Sequence, residues 1–158
     1  MRKYLLTTIA VAATLAVTAP TASAQLGLPL QATYNDHFVG HNGTPGCPGD
    51  AYECGSGVAA GLGSFTDTVV FDSTTSTAIR TLVFADGSTL VLNETFLNFA
   101  PPSGALQHQP PNSFGHPGNL LLGWSASGTG VFAGADGTGT DDQNQAGDYA
   151  HGLIGGTI

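Results

Sequence analysis

Residues 128–140 read Gly-Thr-Gly-Val-Phe-Ala-Gly-Ala-Asp-Gly-Thr-Gly-Thr, and this stretch constrains the fold most. It is too patterned for a flexible linker. In an extended chain Val131, Ala133 and Ala135 fall on one side, and Phe132, Gly134 and Asp136 on the other. Glycine within a strand marks a bulge, a sharp bend or a close backbone approach. Several together suit a strand that bends hard, as closing a small barrel requires. The stretch is therefore expected to form a strand, followed by a polar turn over 141–148.

The surrounding chain carries further strand signals. Residues 30–39 (with Tyr34 and Phe38), 61–71, 119–127 (with Trp124) and 149–158 are strand candidates. On the second of these, Phe65, Val69 and Phe71 share a face. The clearest local signal is Asp86-Gly87 between two β-rich runs, a hairpin turn. A two-residue turn would pair Leu82 with Val91. A three-residue loop with Gly87 left-handed would pair Leu82 with Leu90 and Arg80 with Leu92. The second register gathers Leu82, Phe84, Leu90, Leu92 and Phe96 on one face and is preferred, because burial of one face selects register. Two segments read as loops: 41–57, rich in Gly and Pro, and 100–118, which holds five prolines with His108 and His116. Seven or eight strands and no credible helix predict an all-β barrel or sandwich, with the glycine-rich stretch favouring a closed or nearly closed antiparallel barrel.

The N-terminus reads as an export signal. Arg2 and Lys3 precede an apolar run from Leu5 to Val17, Pro20 breaks it, and Ala22-Ser23-Ala24 offers a cleavage site. The apolar run is shorter than the roughly 20 residues that span a bilayer. The expected organisation is a signal peptide at 1–24 and one β-barrel domain at 25–158, secreted after cleavage near Ala24. Beyond residue 24 the only strong base is Arg80, against all 11 carboxylates of the chain. That balance argues against nucleic acid and anionic membrane surfaces as partners. No later segment is apolar and long enough to span a membrane. Cys47 and Cys54 flank six residues that include Pro48-Gly49, and in an exported chain they are expected to form a disulfide.

The organising stretch resembles the allene oxide cyclase and dirigent-like barrels, in particular secreted bacterial proteins with this barrel. Their C-terminal half tends to contain Gly-Thr-Gly, an aromatic residue, Ala-Gly-Ala and Gly-x-Gly. The resemblance implies an eight-stranded antiparallel barrel with a cavity. It transfers no catalytic residue, and Gly128, Gly130, Gly134, Gly137 and Gly139 read as architectural.

Arg80 and Glu94 are the sharpest candidate pair. In the preferred register Glu94 is the diagonal neighbour of Arg80 on the apolar face. The pair either lies inside the barrel as part of a ligand site or sits at the rim with Arg80 reaching water. The candidate ligand-binding set is Arg80, Glu94, Phe84, Leu92, Phe96 and Trp124. No metal site is expected from His37, His41, His108, His116 and His151, whose spacings match no ligand pattern. Asp136, Asp141, Asp142 and Asp148 fail the EF-hand pattern and read as a solvated acidic turn. Gly-x-Ser-x-Gly is absent, and Ser56 and Ser103 read as loop serines. Asn42 and Asn93 match the N-glycosylation pattern. The sequence thus predicts a secreted barrel that binds a small apolar or amphipathic molecule or acts as a scaffold, with no cofactor. The alternatives are an isomerase that steers a reactive intermediate by positioning, and a surface interaction protein with a filled barrel.

Overall fold

A computed structural model describes residues 27–38, 47, 51–72, 74–100, 118–146 and 149–158. The expected signal peptide, His41, Asn42, His108, His116, Ser103, Asp148 and the Pro-rich segment at 101–117 lie outside the described residues. The eight strands are β1 (Pro29–Phe38), β2 (Glu53–Ala59), β3 (Gly63–Asp72), β4 (Thr77–Phe84), β5 (Thr89–Ala100), β6 (Gly118–Gly128), β7 (Thr138–Ala146) and β8 (Tyr149–Thr157). Each pairs antiparallel with its sequence neighbour, and β8 pairs with β1, so the barrel closes in strict chain order. Closure leaves no unpaired sheet edge among the described strands.

The β4–β5 hairpin adopts the preferred register, Leu82 opposite Leu90 and Arg80 opposite Leu92. The Gly87 amide donates to the Phe84 carbonyl, and Gly87 takes φ +82, a left-handed conformation that costs glycine little.

Two expectations fail. Residues 128–140 are not one strand. Gly130–Phe132 forms a 3-10 turn, and β7 begins only at Thr138. Gly130 (φ +62) and Gly134 (φ +84) take left-handed backbone, which breaks an extended run. The turn docks on the hairpin, where Ser88 Oγ accepts a hydrogen bond from the Val131 amide at 3.1 Å. Phe132 thereby becomes a buried plug while Val131 faces solvent. The second failure concerns two segments read as irregular. Residues 141–146, read as a turn, belong to β7, and residues 53–57, read as loop, belong to β2. Polar and glycine-rich composition misled in both places, because strand pairing on both sides overrides weak local propensity.

Inward side chains form three layers. At one end Leu30, Ala32, Phe65, Leu82, Phe84, Leu90, Leu92, Trp124, Phe132, Ile154 and Ile158 make a continuous apolar cluster. At the other, Val69, Ala78, Leu120 and Leu122 pack with Tyr52, Phe71 and Phe96. Between them lies a polar layer. Inward glycines let large rings lie against the wall: a Cβ at Gly139 would run into the Trp124 indole, and one at Gly152 into the Tyr34 ring.

Candidate functional site

The polar layer is built around Arg80. Alternation along β4 (Ala78, Arg80, Leu82 and Phe84 inward) forces the guanidinium into the barrel, where it is fully buried. Five other strands place an acid at an inward position, among them both neighbours of β4. Asp36 on β1, Glu53 on β2, Asp67 on β3, Glu94 on β5 and Asp141 on β7 are all buried. Arg80 Nη1 contacts Asp36 at 2.7 Å and also Asp67, and Nε donates to Glu94 at 3.1 Å. Nη2 lies 3.6 Å from Glu53 and 3.4 Å from Asp141. The Tyr34 ring stacks on the guanidinium, 4.0 Å from Cζ, and its hydroxyl donates to Asp141 at 2.8 Å. Gln143 donates to Glu53 at 2.9 Å, and Gln145 to Gln143 at 2.8 Å.

Five carboxyls around one base cannot all ionise in a dry interior, where each uncompensated charge is costly. Burial raises Glu53 to about 7, partly offset by Arg80. Burial likewise raises Asp67 to about 7, with Asp36 adding to the shift. Asp36, Glu94 and Asp141 are also raised, burial being the main cause and Arg80 opposing it. Burial would lower Arg80, but the acidic groups Tyr34, Glu94, Asp141 and Asp67 more than offset it, and the guanidinium stays protonated. Asp36 and Asp67 share Nη1 of Arg80, and Glu94 and Asp141 meet its Nε and Nη2. The proximity of like charges adds to the effect of burial, Asp36 raising Asp67 and Asp141 raising Glu94. Glu53 Oε1 and the Trp124 indole nitrogen are buried without a hydrogen-bond partner among the described residues.

The candidate ligand-binding residues are thus divided among the layers. Arg80 and Glu94 bond inside the barrel rather than at its rim. Phe84, Leu92 and Trp124 pack in the apolar cluster on one side of them, and Phe96 is half-buried in the cluster on the other. Asp141, read as part of a solvated turn, is fully buried, because β7 points it inward beside Tyr34. Asp142 alternates to the outside and is exposed. The sequence reading missed Asp36, Glu53, Asp67 and Gln143. Two of these left a signal: Tyr34-x-Asp36 and Phe65-x-Asp67-x-Val69 continue an inward alternation through an acid. Glu53 left none, since its strand was not recognised.

Arg80, Glu53 and Glu94 are closed off from solvent, each 0–1% exposed. Aromatic rings stand at both ends. Phe84 lies 4.9 Å from Phe132 and 5.6 Å from Phe65 between ring centres, and Tyr52 lies 5.7 Å from Phe38 and 5.8 Å from Phe71. A groove of about 340 Å³ opens at the first end, lined by Leu62, Phe84, Val131 and Phe132 among others. On the outer wall the expected disulfide joins Cys47 and Cys54, with Cα atoms 5.9 Å apart. No helix among the described residues is long and apolar enough to cross a membrane.

Fold and interior define a closed eight-stranded antiparallel barrel with an acid-rich polar layer. No family model, curated protein or solved structure matches the chain.

Proposed function

We propose that the chain is an exported barrel protein that takes up a small, uncharged amphipathic molecule. A hydroxyl or carbonyl of the ligand would sit in the layer around Arg80, and its apolar body against Leu92, Phe84 and Trp124. The observation that carries this reading is the surplus of buried carboxyls over base, with Glu53 and Asp67 ionising near neutrality. A core built only for stability gains nothing from such a layer, since apolar residues of similar volume serve as well or better. Perturbed carboxyls gathered in one place mark binding and proton-transfer sites. Neutral carboxyls both donate and accept, and the unpartnered Trp124 N–H and Glu53 Oε1 match a ligand's oxygen and hydroxyl. The resemblance of residues 128–140 to allene oxide cyclase and dirigent-like barrels points the same way. Uptake requires the aromatic rings at one mouth to swing aside, since the interior is closed in this conformation.

One observation favours a second reading. The burial of the inward side chains, Arg80 and the five carboxyls included, is what a filled barrel acting as a surface interaction module would show. Native mass spectrometry of protein purified from its natural producer separates the two. The binding reading expects a bound small molecule, retained by wild type and weakened at least tenfold by Glu53→Gln, which keeps the side-chain shape. A chain that carries no bound mass, and takes up none from an extract of that producer, would leave only the filled barrel. Chemical change of the bound molecule on incubation would identify an isomerase.

A further inference from the structure

The disulfide on the outer wall has a third member. His37 on β1 lies directly opposite Cys54 on β2 in the strand register. Its Nε2 is 3.6 Å from Cys47 Sγ and 3.7 Å from Cys54 Sγ. The three donor atoms all fall within 4.8 Å of one another. Ten and 17 residues separate His37 from the two cysteines; the β1–β2 pairing brings His37 to Cys54, and the disulfide brings Cys47 to both.

These separations have a specific chemical meaning. A tetrahedral zinc ion holds sulfur at about 2.3 Å and imidazole nitrogen at about 2.0 Å, which places adjacent N and S ligands about 3.5 Å apart. Both nitrogen–sulfur distances match that edge while the sulfurs are still bonded to each other. Only the sulfur–sulfur edge must lengthen, to about 3.8 Å in the same geometry. Cys47 and His37 are half-buried and Cys54 is buried, so the open side faces solvent and leaves room for a water ligand.

We propose that reduction of the disulfide converts His37, Cys47 and Cys54 into a site for a thiophilic d10 metal ion, with zinc as the ion tested. A dithiol supplies the electrons. Its thiolate attacks one sulfur, the second thiol resolves the mixed disulfide, and the reductant leaves as its own disulfide while Cys47 and Cys54 become thiols. Zinc binding displaces two thiol protons and takes the imidazole as third ligand, with water as the fourth. Oxidation reverses the sequence: two electrons leave the thiolates, the disulfide reforms and the ion is released. The disulfide is the empty state of a redox-gated metal site, distinct from the interior layer and independent of its ligand.

The test uses the full folded chain and zinc alone, competed against a chromophoric chelator. A water-soluble phosphine reduces the disulfide, taking one oxygen from water as the sulfurs take up two protons. The reduced chain is expected to bind one zinc per molecule and the oxidised chain none. His37→Ala should weaken zinc at least tenfold, whereas His151→Ala should leave it unchanged. Absence of stoichiometric binding to the reduced chain, or equal affinity in His37→Ala, overturns the proposal. If the reduced chain loses its folded near-ultraviolet signal, Cys47→His supplies a set that cannot oxidise internally. That variant should bind zinc without any reductant, and failure to do so overturns the proposal equally.

Discussion

The apolar end of the barrel and the polar layer beneath it are built on the same strands by the same alternation, yet they obey opposite economics. Leu82 and Arg80 are neighbours on one face of β4, and both are fully buried. Leu82 gains from leaving water and asks nothing specific of its neighbours. Arg80 is tolerable there only because carboxyls on five other strands converge on it, and those carboxyls exceed what one base can neutralise. The apolar end stabilises the barrel at any pH. The polar layer stabilises it only while part of its acid holds protons.

Removing the base should break that contrast most visibly. Arg80→Met leaves five buried carboxyls without a counter-charge, and loss of one partner from a buried ionic group costs about 3–5 kcal/mol. Urea unfolding at pH 8 should show that loss, and at pH 4.5 most of it should return as the carboxyls become neutral. The apolar counterpart, Leu82→Ala, should cost about 2–5 kcal/mol through lost burial and a cavity, by the same amount at both pH values.

Wild type itself should be pH-sensitive in an unusual direction. An acid whose folded pKa is raised binds protons more tightly when folded, so its stabilising contribution is complete below the unfolded pKa and fades as pH rises through the folded one. Glu53 moves from 4.5 to about 7 and Asp67 from 3.8 to about 7. Stability should therefore fall between about pH 4 and pH 8, by about 3 kcal/mol for Glu53 alone at 1.36 kcal/mol per pKa unit. Chemical denaturation across that range gives the slope, and a stability that climbs towards pH 8 would contradict it. Asp67→Asn should have the smallest effect and the opposite sign. It replaces a surplus acid with a neutral group of the same shape, so it should stabilise by about 1 kcal/mol at pH 8 and change little at pH 5.

The two regions also differed in how plainly the sequence announced them. The apolar end follows from alternation and from the Asp86-Gly87 turn, which set the register of Leu82 against Leu90 without tertiary information. Arg80 and Glu94 could be paired from that register alone. Asp36 and Asp67 stood at inward positions in plain view, but an acid in an alternating pattern reads locally as a break rather than a continuation. Glu53 and Asp141 sit in segments rich in Gly, Asn, Gln and Asp, whose strand character comes from neighbours on both sides and not from their own propensity. The 3-10 turn at Gly130–Phe132 was hidden for the converse reason, since left-handed glycines there look like those of a bent strand. His37 met the disulfide only through the pairing of β1 with β2.

The central claim is that acid is held neutral around a single buried base, and carboxyl carbon chemical shifts from NMR report it residue by residue. A titration of isotopically labelled protein from pH 4 to pH 9 should show Glu53 and Asp67 losing their protons with midpoints near 7, while exposed Asp72 and Asp86 are ionised throughout. All five interior carboxyls titrating below pH 5 would mean that the layer is an ordinary ionised network, and the account of both its energetics and its use would fall.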